Sequence, residues 1–189
     1  MSNTENGKQY AFIAAISFTV YVLYNIVTRI AYFVRGGYPI AAINFLIWII
    51  LIGIAVACFT KNRTVLLVAA GAKTLLFVYR LLNVFNLGNV LGFLAYAALL
   101  VLALLSIKKN KLAGSIWFLP AAFMIAVYFL IDWTRYGYFN YLSTAWAWES
   151  MLAPVVKMVG LFFAGMWLKE TVAGNAGDAL ADEYGAHHS

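Results

Sequence analysis

Two lysines stand where an apolar chain should exclude them. Lys73 interrupts "TVLLVAAGAKTLLFVYRLLNVF" (64–85), and Lys157 interrupts "SMLAPVVKMVGLFFAGMWLK" (150–169). At the centre of a bilayer a lysine costs about 2.5–3.5 kcal/mol, while each Leu, Ile, Val or Phe returns about 0.3–0.6 kcal/mol. The first run offsets its lysine and the second is marginal alone, so neighbouring helices must support both. Lys73 follows Arg63 by ten residues, about 15 Å along a helix, and Lys157 precedes Lys169 by twelve, about 18 Å. Both lysines thus sit at similar depth from the same side, too deep to snorkel comfortably to water. Ionisable residues at such depth usually face a bundle interior or a water-filled cavity and have a partner.

Acidic partners are missing at that depth. Asp132 and Glu149 are the only carboxylates between Glu5 and Glu170, and both belong near the surface opposite the N-terminus. Two lysines without acids can be held neutral, can share water, or can bind an anion from outside: a carboxylate, a phosphate or a lipid head group. A blander arrangement has them bonded to exposed carbonyls and to polar side chains such as Asn44 or Asn89, or has Lys73 nearer the surface than its position suggests. Asn25 and Arg29, four residues apart, share a helix face with Tyr21 and Tyr32 nearby, and Lys73 and Arg80, seven apart, share another. Lys73, Lys157, Arg80, Asn25 and Arg29 are therefore the candidate ligand-binding residues. The arginines serve equally well as anchors of helix ends to phosphate head groups. Pro154 removes a backbone donor just before Lys157 and favours a bend there.

Other chemistries lack their residues. Both histidines, His187 and His188, lie in the tail, and Cys58 is the only cysteine, which leaves no intramembrane histidine or thiolate metal site and no disulfide framework. There is no phosphate-binding P-loop, no dinucleotide glycine fingerprint and no GxSxG. No cofactor is expected, and an enzyme is the least supported class.

The elements that position the lysines follow from composition. Of 189 residues, 65% are hydrophobic and 11% charged, against roughly half and a quarter in soluble domains. Residues 9–28, 36–60, 81–107 and 112–131 carry no Asp, Glu, Lys or Arg, and each reaches the length of about 20 residues needed to cross a bilayer. With the two lysine-bearing runs they predict an all-α polytopic membrane protein of six transmembrane helices, at about 10–33, 38–59, 64–85, 86–107, 114–134 and 150–169, within a domain of residues 1–172. Arginines near one end of the odd helices and lysines at the other end of the even ones, with "TRIAYF" (28–33) echoed by "TRYGYF" (134–139), suggest three helical hairpins. Residues 136–150 read as an aromatic interfacial loop, with a short amphipathic or re-entrant helix as the alternative, and 173–189 as a disordered acidic cytoplasmic tail.

Lys8, Lys61, Arg63, Lys108, Lys109, Lys111 and Lys169 fall on the N-terminal side, against Arg29, Arg35, Arg80 and Arg135 on the other. The positive-inside rule then places both termini in the cytoplasm, in the plasma membrane. The basic charge is explained by topology, so nucleic acid is not an expected partner. Small residues at Gly88 and Gly92, Gly53 and Ala57, and Gly160 and Ala164 permit close helix packing. The expected partners are membrane lipids, an anionic solute or lipid, or another membrane protein. The leading expectation is a small transporter or channel-like protein with an anion- or lipid-facing site. The alternative is a non-catalytic subunit whose weak third and sixth helices are completed by a partner's carboxylates.

Overall fold

The computed structural model describes the backbone of residues 3–36, 39–132 and 145–186, and the side chains of 5–36, 39–129 and 151–173. Every regular element among them is helical: α1 (Asn3–Val34), α2 (Ala42–Phe59), α3 (Arg63–Asn83), α4 (Leu87–Ile107), α5 (Ala113–Ile116), α6 (Leu119–Ala126), a π-helical segment (Val127–Asp132) and α7 (Ala145–Ala186). Five helices are long and apolar enough to cross a membrane: α1 to α4, and Met151–Ala173 of α7. α2, α3 and α4 lie within a few residues of the expected positions. α1 starts earlier than expected, and its 32 residues span about 48 Å, more than the roughly 30 Å of hydrocarbon.

The fifth expected helix, 114–134, is broken. α5 ends at Ile116, Trp117 and Phe118 form a joint, and α6 begins with Pro120 in its first turn, where the missing N–H costs least. The apolar stretch Ala113–Phe129 is shorter than the five spans. Trp117 packs its ring edge-on against Phe162 of α7, with centroids 5.0 Å apart, and the Lys169 ammonium lies 5.5 Å from the same ring. α7 begins at Ala145, inside the segment expected to be an interfacial loop, and continues to Ala186 through the expected tail. Its alanine-rich sequence extends an existing helix without a new nucleation step. Arg135, Trp133 and the rest of the loop as far as 144 lie outside the described residues, as do the side chains of Asp132 and Glu149.

Neighbouring helices run antiparallel. Gly7 sits beside Glu170, Tyr10 meets Phe163 at 5.8 Å and Gly160 packs on Phe18, so α7 descends along α1. Phe12 meets Phe59 of α2 at 6.1 Å, Gly53 of α2 faces Ala69 of α3, and Phe77 of α3 stacks on Tyr96 of α4 at 5.7 Å. α4 packs on α6 and α6 on α7, with α4 also touching α7. The elements thus follow one another around a ring that α7 closes against α1. Of the small residues singled out in the sequence, Gly53, Gly92 and Gly160 each pack against a side chain of a neighbouring helix. Its outer face is apolar, with Phe45, Ile49, Val68, Leu75 and Leu82 exposed, as lipid contact requires. Trp167, near the end of the apolar part of α7, is buried.

Two turns on the N-terminal side share one construction. After α2, Lys61 takes φ 54°, and Asn62 N–H donates to the Ala57 carbonyl at 2.9 Å. After α4, Lys109 takes φ 53°, and Asn110 N–H donates to the Leu105 carbonyl at 2.9 Å. Both are Schellman closures. The Asn62 side chain then caps α3 by accepting from Thr64 N–H at 3.0 Å and Val65 N–H at 3.1 Å. Asn62→Ala removes that cap and is expected to cost about 1 kcal/mol, read as a lower thermal midpoint in detergent with the ligand-free protein.

Candidate functional site

A cavity of about 360 Å³ lies inside the ring, toward the face opposite the N-terminus. Its volume falls in the range of small-molecule sites, roughly 300–1,000 Å³. All five residues singled out in the sequence line it: Asn25 and Arg29 from α1, Lys73 and Arg80 from α3, and Lys157 from α7. No Asp or Glu is among its described lining residues. The arrangement has two levels. Lys73 and Lys157, only 5% and 6% exposed, form the deep level. Arg80, about 10 Å further along α3 by helix rise, and the exposed Arg29 stand at the mouth.

The lysines are held by aromatic faces. The Lys73 ammonium lies 5.8 Å from the Phe77 centroid and 5.7 Å from that of Tyr96. The Lys157 ammonium lies 5.4 Å from Tyr21, 5.5 Å from Tyr96 and 5.7 Å from Tyr128. Such contacts attract a cation through the ring quadrupole without neutralising it. Both ammoniums therefore flank the same Tyr96 ring, and Lys157 and Arg80 are close enough to Lys73 to repel its charge. The Tyr96 hydroxyl is buried within interaction range of the Lys157 ammonium. Tyr128 is delivered to Lys157 by the π-helical segment that continues from α6.

Below the lysines the ring is filled. Phe18, Ala70, Leu99 and Leu161 are fully buried, followed toward the N-terminal side by Leu66, Leu102, Ala103, Ala164 and Leu168. Arg63 Nη1 donates to the Ser106 carbonyl at 2.8 Å and ties α3 to α4 at that end. Polar access is therefore from the opposite face. There the N-terminus of α4 points its positive end at the mouth. Asn86 and Asn89 build that corner: Asn86 Oδ1 accepts from Asn89 N–H at 2.8 Å, and Asn89 Nδ2 donates to the Val84 carbonyl at 2.8 Å. Asn89, one of the polar groups considered as a lysine partner, is thus engaged in the turn. Asn44 lines the cavity from α2.

Gly92 sets the position of the Phe77 wall. A Cβ there would lie 2.5 Å from Phe77 Cε1 and 2.8 Å from Cζ, so the ring must swing into the cavity or leave Tyr96. Gly92→Ala is expected to cost about 1–2 kcal/mol of stability and to weaken anion binding roughly tenfold, measured by titration calorimetry. Gly114→Ala, which meets open space, should change neither.

Sequence reasoning did not single out Tyr96, Phe77 or Tyr128, although Lys73, Phe77 and Arg80 form an i, i+4, i+7 stripe that helical spacing could have revealed. Among the described residues no group of His, Cys, Asp and Glu is placed to hold a metal ion. No protein-family model, no curated protein and no solved structure matches the chain.

Proposed function

We propose that this is an integral membrane protein of the transporter or channel-like kind, and that its one-ended cavity takes an anion, either a solute or a lipid head group. The observation that carries this reading is the gathering of Lys73, Lys157, Arg80 and Arg29 around one cavity with no carboxylate among its described lining residues. Four cations so placed repel one another until a counter-charge arrives, and buried charges in membranes are otherwise paired. An anion would be drawn by the arginines at the mouth and would seat between the lysines, while the leucines beyond them form the barrier that passage must open. On this reading the broken fifth helix completes six crossings, with both termini in the cytoplasm and the protein in the plasma membrane.

Native mass spectrometry of the wild type, released from gentle detergent beside the Lys73→Ala/Lys157→Ala variant, tests the reading. A single anionic adduct on the wild type, absent from the variant, is the expected result. A bare wild-type monomer, or one that arrives only with another polypeptide attached, would overturn it and favour a subunit of a larger complex. A reporter fused after Ser189 and reached only from outside the cell would refute the orientation.

A further inference from the structure

We infer that the charge class of this anion is a phosphate monoester, bound as the dianion with its phosphoryl oxygens between Lys73 and Lys157; the inference rests on the anion-site reading above. The first ground is where the charge is concentrated. Both ammoniums lie against one aromatic ring, at 5.7 and 5.5 Å from the Tyr96 centroid, and both line the same small cavity, so two cationic side chains face one ligand. A monoanion placed there neutralises one and leaves the other buried without a partner. A dicarboxylate carries two charges but spreads them over the length of its chain. A phosphoryl group holds both on one tetrahedral centre, with three oxygens available to two ammoniums and their neighbours.

The second ground is the mouth. The Arg29 and Arg80 guanidiniums and the N-terminus of α4 meet whatever extends from the phosphoryl group toward the opposite face. Planar guanidiniums and helix N-termini both suit phosphate oxygens. A second depression, of about 210 Å³, shares Arg29 and Asn44 with the cavity and continues it past Tyr32, Pro39 and Ile40, between the end of α1 and the start of α2. The ester substituent therefore has a way out along the protein surface. A soluble phosphomonoester and a lipid with a terminal phosphate share this chemistry.

The test uses the full chain in phosphatidylcholine nanodiscs, whose lipid is a phosphodiester. Methyl phosphate, dimethyl phosphate, succinate and acetate are titrated calorimetrically at pH 8, above the second phosphate pKa of about 6. Methyl phosphate is expected to bind at least tenfold more tightly than the other three, and Lys73→Met or Lys157→Met should remove that preference. Equal binding of methyl and dimethyl phosphate, or tighter binding of succinate, would overturn the monoester inference while leaving the anion site standing. Absence of binding by every anion would remove both. Discs doped with phosphatidic acid or phosphatidylglycerol identify the source. Retention of phosphatidic acid in native mass spectra, displaced by methyl phosphate, assigns the group to lipid. Binding of methyl phosphate with no retained phosphatidic acid assigns it to a soluble ester. Retention of phosphatidylglycerol as strong as that of phosphatidic acid would overturn the proposal.

Discussion

Lys157→Met is expected to abolish anion binding and at the same time to raise the stability of the ligand-free protein. Two opposite changes from one substitution are a sharper signature than loss alone. Lys157 is 6% exposed and shares the Tyr96 ring with Lys73, so a second positive charge stands nearby without a described carboxylate. Methionine fills a similar volume with a flexible apolar chain and keeps contact with the aromatic rings. What it forfeits is the cation–π attraction to Tyr21, Tyr96 and Tyr128, about 0.5–2 kcal/mol for such contacts. What it relieves is the desolvation of an ammonium, several kcal/mol per ion, together with repulsion from Lys73. The second effect is larger, and a gain of about 1–3 kcal/mol follows by analogy with apolar replacement of buried charges.

With ligand present the sign reverses. Removing one partner of a desolvated charge contact costs about 2–5 kcal/mol, or roughly 30-fold to several thousand-fold in affinity. The check is a pair of thermal unfolding curves for wild type and Lys157→Met in nanodiscs, with and without methyl phosphate. A variant less stable than wild type in both conditions would show that Lys157 is a structural bond, and the cavity would lose its functional meaning.

The depth of the lysines was legible in the sequence because helix rise converts residue number into distance. Arg63 and Lys169 mark one side, and counting from each places Lys73 and Lys157 at the same level, where both now flank Tyr96. Rotation about each helix axis was legible only where two polar residues share a face, as with Asn25 and Arg29 or Lys73 and Arg80. Which aromatic ring would turn toward the lysines was not. With 12 tyrosines, 14 phenylalanines and 6 tryptophans, nothing in composition distinguishes Tyr96 from a ring that faces lipid. Its choice depends on α4 packing against both α3 and α7, which is tertiary information.

The fifth helix shows the same limit from another side. Its apolar run is long enough by length to predict one continuous span, yet Pro120 falls in the second turn of a helix begun at 114, where it removes a backbone donor and clashes with the Ile116 carbonyl. The joint at Trp117 and Phe118, just ahead of that proline, thus has a local signal, whereas the π-helical turn that carries Tyr128 to Lys157 of α7 has none. The paired turns at Lys61–Asn62 and Lys109–Asn110 both fall on a Lys-Asn pair, a repeat that sequence reasoning did not single out. Asparagine after a helix end is a cap signal, and its recurrence marks two helix ends of like construction more directly than the looser TRxxYF echo.

The largest expected loss of stability comes from a single methyl group at Gly165. A Cβ there would collide with the backbone carbonyl of Trp117 at the joint between α5 and α6. At Gly92 the obstacle is the far end of an aromatic ring, and at Gly160 the nearest atoms are the Phe18 ring at 3.1 Å, so a side chain can give way. A main-chain carbonyl cannot move without carrying its segment with it. The Trp117 ring is wedged against Phe162 at 5.0 Å and Phe118 at 6.2 Å, which removes the freedom to swing aside. Gly165→Ala must therefore lift the whole joint away from α7 or bend α7 itself. Either movement opens buried packing around Leu161, Ala164 and Leu168. Overpacking of a close-packed core costs about 1–3 kcal/mol even where side chains absorb it, and a rigid backbone obstacle puts this case at about 3 kcal/mol or more. Because α6 leads into the turn that holds Tyr128 beside Lys157, the same displacement should loosen the deep wall of the cavity. The measurement is the thermal midpoint and the yield of monodisperse protein for Gly165→Ala, with Gly160→Ala beside it. Gly165→Ala should fall well below Gly160→Ala in both, and equal stability of the two would mean that the α5–α6 joint does not sit on α7 as closely as the structure has it.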